Sequence, residues 1–124
     1  MLAPLVLVAT GGALGAVARY LILNGFNGFS MQVILVINLI GAFCVGVSAA
    51  FFPQSEGWRL FWGIGVLGGF TTFSAMVGFL FENGDLQNYG LYFLQSLFHT
   101  VGGLVMAYLG WKAAHLVGIF VHKA

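Results

Sequence analysis

Few side chains in this sequence could do chemistry, and their positions narrow what that chemistry is. The carboxylates are Glu56, Glu82 and Asp85, and each falls in a predicted loop or at the end of an apolar stretch. No two of them read as a buried acid/base pair, so hydrolytic chemistry finds no support. His99 lies within an apolar stretch and has no His or Cys at metal-ligand spacing. It reads as a hydrogen-bonded interior histidine. The single Cys44 excludes an internal disulfide and a cysteine-based metal site. Gly63 to Gly68 formally fits GxGxxG, but it neither follows a soluble strand nor opens a βαβ unit, so it is not a dinucleotide site.

Four other groups carry more information. Asn38 is a strongly polar side chain in a long apolar run, and an amide at membrane depth faces a bundle interior or a cavity. It can make an interhelical hydrogen bond, or it can donate N–H to an anion. Ser96 and Thr100 are four apart, so both hydroxyls lie on one helix face. They can bond back to the carbonyl one turn earlier, or replace the water of a passing ion in steps. Phe73 and Met76 are three apart and share a face, which suits core packing or an aromatic edge turned to an anion. Arg19 sits near a membrane interface, where it can snorkel or attract anions to a vestibule.

The elements that must hold these groups follow from composition. Of 124 residues, 60% are hydrophobic and 6% are charged, far below the charge of a water-soluble domain. The length allows about four spans of roughly 20 residues each. They are expected at 2–23, 31–52, 60–81 and 89–112 in a single four-helix membrane domain. Asn24 to Ser30 is a turn-rich connection, Pro53 stops the second span, and Glu82 to Asp85 is a turn. An amphipathic tail follows Lys112. Interfacial aromatics are Tyr89, Tyr92, Tyr108 and Trp111. No basic region precedes Leu5 to Val8, so Ala16-Val17-Ala18 is not expected to act as a signal-peptide cleavage site.

The third span is the unusual one. In GVLGGFTTFSAM (Gly65 to Met76) the pair Gly68-Gly69 is followed by Thr71, Thr72 and Ser74. Backbone at membrane depth stays helical unless protein or a hydrated cavity shelters it. A Gly pair followed by hydroxyls is therefore where a helix can break, and freed carbonyls there could hold a cation. The same small residues also permit close helix packing.

Net charge is +1, too small for a nucleic-acid partner. With even span count, Arg59, Lys112 and Lys123 share one side, against Arg19, Glu82 and Asp85 on the other. Cytoplasmic termini are favoured by only two or three charges, so insertion in both orientations is open. Four thin spans leave little interior for a pore, and an oligomer is expected.

The segments GGALGAVARY (Gly11 to Tyr20), NLIGAFCVG (Asn38 to Gly46) and GIGVLGGFTTFS (Gly63 to Ser74), with the Ser96/Thr100 pair, resemble the fluoride-specific channel family called Fluc or CrcB. The similarity runs in order over the whole chain. It implies an all-α membrane protein with four transmembrane helices per subunit, the third broken, in an antiparallel dual-topology dimer with two fluoride pathways. It also implies a structural Na⁺ at the dimer centre, held by backbone carbonyls that fall on Gly68 and Thr71. By motif position the pore-lining asparagine falls on Asn38, the first box phenylalanine on Phe73, the hydroxyl track on Ser96 and Thr100, and the span-one arginine on Arg19. Where the family reads TTFSTF this chain reads TTFSAM, so Ala75 replaces a threonine and Met76 stands at the second box phenylalanine. Phe79 stands where a glutamate is common.

The function expected on this resemblance is passive fluoride export across a bacterial cytoplasmic membrane, driven by a potential negative inside. A homologous subunit that supplies the missing ring is the alternative to a second identical copy. A small proton-coupled multidrug exporter needs a carboxylate within a span, and the first span has none. A non-transporting membrane assembly subunit would use the glycine faces for packing alone.

Overall fold

The computed structural model describes residues 2–26, 30–51, 55–83 and 88–123. Pro53 and Asp85 lie outside the described residues. Helix α1 is Leu2–Gly25 and α2 is Met31–Phe51. The third crossing is assembled from pieces: α3 (Glu56–Trp58), a wide π-helical segment (Arg59–Leu67), α4 (Gly68–Phe70) and α5 (Phe73–Asn83). Helix α6 runs from Tyr89 to Lys123. Four of these helical stretches are long and apolar enough to cross a membrane: Leu2–Gly25, Met31–Phe51, Glu56–Glu82 and Tyr89–Gly118. The protein is an all-α, multi-pass membrane protein.

Hydroxyl residues mark where helices begin. Ser30 Oγ accepts from Val33 N at 3.2 Å, and Ser55 Oγ accepts from Trp58 N at 3.4 Å, each satisfying an N–H that has no partner inside its helix. The tail expected after Lys112 is helical and continuous with the fourth span. The two form one helix from Tyr89 to Lys123. Trp111 packs on His115 with ring centroids 4.2 Å apart, and Lys112 Nζ lies 5.6 Å from the Tyr108 ring centre, so these aromatics form one cluster along the helix.

Apolar side chains gain little by leaving lipid for one another, so small residues decide which helices pack. Gly11 meets Gly65, and Gly15 meets Val66 and Phe70, so α1 runs parallel to the first half of the third crossing. A Cβ on Gly65 would come within 2.9 Å of Gly11 Cα; only glycine permits that approach. Gly46 lies against Ala107 and Gly110 against Phe43, which pairs α2 with α6, again in parallel. The apolar core is small: Leu23, Met31, Ile34, Ile37 and Met76. Most other large apolar side chains, including Leu14, Phe93 and Leu104, are exposed, as suits contact with lipid or another subunit.

The broken third crossing and the cleft beside it

The break falls two residues later than the glycine pair. Gly68 and Gly69 are helical, and Gly69 is pressed against Gly12 and Ala16 of α1. The helix has already loosened before this point, since Gly68 N–H donates to Gly63 O five residues back as well as to Gly65 O. Thr71 is the first extended residue, with φ −75 and ψ 152. Its N–H and its Oγ1–H both donate to Leu67 O, at 3.0 and 2.9 Å. Thr72 N–H, which a continuous helix would return to Gly68 O, goes elsewhere.

It goes to Asn38. Thr72 N donates to Asn38 Oδ1 at 2.7 Å, and Asn38 Nδ2 donates to Thr72 O at 3.0 Å. One carboxamide thus satisfies both backbone polar groups of a residue that is 6% exposed. In lipid, either group left unpaired would cost several kcal/mol. Gly41, one turn further along α2, leaves room for the Thr71 side chain. Thr72 then restarts the helix, since its Oγ1 accepts from Ala75 N at 3.0 Å. Arg19 Nη1 donates to Thr71 O at 3.2 Å, so the arginine from α1 reaches the break and does not simply snorkel to the interface.

The second Asn38 donor is also taken. Nδ2 lies 3.2 Å from His99 Nδ1 on α6. Because Oδ1 already accepts from Thr72 N, the amide cannot be turned over, and His99 Nδ1 must be the acceptor. A role for Asn38 toward an anion requires it to release one of these bonds.

An open cleft of about 380 Å³ lies beside the break, walled by Thr71, Thr72 and Phe73 on one side and by Asn38, His99, Thr100 and Gly103 on the other. Phe73, Asn38 and Thr100 therefore come together along one cleft. Thr100 lines the cleft, and its Oγ1 donates back to Ser96 O at 3.1 Å. Ser96 does not line this cleft, and its hydroxyl donates to Tyr92 O at 2.9 Å. Met76 stands apart as well. Phe73 is 72% exposed whereas Met76 is 1% exposed, within the apolar core. Three residues of helix are about 60° short of a full turn, enough for α2 to cover one side chain and leave the other open.

Sequence reasoning did not single out Thr72, and it treated His99 only as an interior histidine. The hydroxyls after the glycine pair were the available signal for Thr72; nothing local marks His99 as the partner of Asn38. Among the described residues, no three His, Cys, Asp or Glu side chains gather as a metal site. Main-chain oxygens are what the break offers a cation: Gly68 O, from which Thr72 N–H has been diverted, and Thr71 O, already turned toward a positive group.

A protein-family model described as CrcB-like protein, Camphor Resistance (CrcB) matches residues 6–111. The chain belongs to the CrcB-like family. Similar relatives include the fluoride-specific ion channel FluC 1 of Rhodococcus jostii, 38% identical over 112 residues that cover 90% of this chain and 86% of the relative. The fluoride-specific ion channel FluC of Prosthecochloris aestuarii is 39% identical over 123 residues, covering 89% of this chain and 91% of the relative. A FluC of a Caulobacter species is 46% identical over 80 residues, covering 57% of this chain and 62% of that relative. The CrcB-like match takes in the α1 glycines, Asn38, the break and the Ser96/Thr100 pair.

Proposed function

We propose that the protein is a passive, fluoride-selective channel and not an enzyme. The observation that carries this reading is the Asn38–Thr72 clamp, which holds a helix break open beside a cleft. Membership of a family whose similar members are named fluoride-specific ion channels gives the anion its identity.

Fluoride is compact and holds its water tightly, so a selective path must replace that water with closely matched donors. Around the cleft these would be the Thr100 hydroxyl and the Asn38 amide, each once it exchanges a protein bond for the ion, and the positive edge of the Phe73 ring. Ser96 lies one turn from Thr100 on α6 but outside the cleft, and it would extend the hydroxyl line only by giving up its bond to Tyr92 O. Larger halides would gain less from the same contacts. A membrane potential negative inside would drive the anion outward with no chemical fuel.

The carbonyls of Gly68 and Thr71 are hard oxygen donors suited to a structural Na⁺, and binding it would require Thr71 O to share or give up its hydrogen bond from Arg19. When bound, Na⁺ would offset the carbonyl dipoles and stiffen the break. Two carbonyls are fewer than a hard cation takes, and an inverted second copy would double the set. The wide apolar exterior and the weak charge asymmetry of the loops support that antiparallel dimer.

Fluoride efflux from proteoliposomes containing this chain alone, with chloride as control, tests the reading. Rapid fluoride loss with chloride retained is expected. Equal passage of both ions, or of neither, refutes it. Crosslinking between copies inserted in opposite directions should accompany activity.

A further inference from the structure

Asn38 has two amide hydrogens and both are engaged, so an anion in the cleft can reach one only by displacing a protein acceptor. The two acceptors are not equivalent. Thr72 O belongs to a pairing in which the same carboxamide also accepts from Thr72 N. Giving it up pulls on both bonds and leaves a carbonyl of a buried residue unpaired. The bond to His99 Nδ1 is the longest of the three, at 3.2 Å, and it can open while the carboxamide stays anchored to Thr72. His99 and Asn38 both line the cleft, beside Thr100 and Phe73. The N–H that Asn38 can lend is therefore the one that points at His99.

The fixed orientation of the carboxamide leaves a lone pair of His99 Nδ1 facing that N–H, so a neutral ring carries its proton on Nε2. A second proton has only Nδ1 to join. Nδ1–H would then confront the Asn38 N–H, two donors with no acceptor between them, and the bond must open. Both N–H groups would become available to an anion in the cleft.

Among the described residues, no carboxylate lines the cleft to balance a charged ring. The titratable side chain of α2 is Cys44, and those of α6 from Tyr89 to Trp111, besides His99, are Tyr89, Tyr92 and Tyr108. The third crossing gives the cleft Thr71, Thr72 and Phe73; its Glu56, Arg59 and Glu82 lie nine or more residues from Phe73. Arg19 of α1 is engaged at Thr71 O. The counter-charge for a protonated His99 is thus the anion itself.

We propose that His99 is a positioning residue of the path: Nδ1 holds the Asn38 N–H while the cleft is empty, competes with fluoride for it, and stops competing when the ring is protonated. This role rests on the fluoride-channel reading. It adds that fluoride binding and proton uptake at His99 favour each other, so fluoride passes faster as pH falls.

Fluoride efflux from proteoliposomes should be followed from about pH 8 to about pH 5.5, the span in which imidazole ordinarily titrates. Protein-free vesicles correct for leakage of hydrogen fluoride. Wild-type flux should rise by up to about tenfold per pH unit, the limit for one proton. His99→Gln and His99→Leu cannot take up that proton, so each should give a flat profile. His99→Leu also removes the acceptor and should exceed wild type at the alkaline end. A flat wild-type profile, or a rise that survives in both variants, would overturn the role of His99.

A measurement on wild-type protein does not depend on the variants folding. With ¹⁵N-labelled histidine at fixed pH, sodium fluoride should increase the protonated fraction of His99 and sodium chloride should not. A fraction indifferent to fluoride would overturn the coupling. Wild-type protein that passes no fluoride at any pH would refute the channel reading, and this role with it. Selective fluoride flux that ignores pH would refute the role of His99 alone.

Discussion

Replacing Asn38 by alanine should damage both the fold and the conduction path. The substitution removes three hydrogen bonds at once: Thr72 N to Oδ1 at 2.7 Å, Nδ2 to Thr72 O at 3.0 Å and Nδ2 to His99 Nδ1 at 3.2 Å. The two Thr72 groups would lose their partner in a buried residue. At about 1–3 kcal/mol for each buried polar group left unsatisfied, they set a loss of about 2–6 kcal/mol. The open cleft beside them admits water, which places the expected value near the lower end, about 2–3 kcal/mol. Flux should fall by about tenfold or more, since one donor to the ion is worth about 1.5–3 kcal/mol. Asn38→Asp is the informative companion. It keeps an acceptor for Thr72 N–H but sets a carboxylate oxygen against Thr72 O, so it should also lose stability and flux. Denaturation of the purified protein in detergent gives the first quantity and fluoride efflux the second. An Asn38→Ala protein within about 0.5 kcal/mol of wild type, with normal efflux, would refute the assignment of the break to this clamp.

Met76→Ala should cost about 2–5 kcal/mol of stability, because it empties a core site, yet leave fluoride over chloride selectivity unchanged in the folded fraction; altered selectivity would return Met76 to the pathway. Gly65→Ala should destabilise by about 1–3 kcal/mol through contact with the α1 backbone. Gly12→Ala, whose added Cβ meets nothing within 4 Å, should fold normally; thermal unfolding of the two side by side checks the close approach of α1. Exchange of Na⁺ for a bulky organic cation should lower fluoride flux and the melting temperature together. Unchanged values for both would leave the Gly68 and Thr71 carbonyls without a cation role.

The sequence determined the solvent, the number of crossings and the inventory of the site. Hydropathy is a sum over neighbours in the chain, so the four apolar runs and the disturbance after Gly68-Gly69 are visible without any tertiary knowledge. Local chemistry also anticipated that Ser96 and Thr100 could bond back one turn, as both do. Tertiary structure decided which polar groups meet. The Asn38 bonds to Thr72 and His99 span 34 and 61 residues, and they depend on how three helices are rotated about their axes. That rotation is set by close glycine contacts such as Gly11 with Gly65 and Gly46 with Ala107, and composition carries no record of which glycine finds which partner. For the same reason the break moved past the glycine pair: Gly68 and Gly69 remain helical against α1, and the ladder opens where Asn38 captures the Thr72 N–H. It also separated Met76 from Phe73, because α2 covers only one flank of α5. Lipid fixes that every polar group must find a partner inside the protein; only the packed helices choose which one.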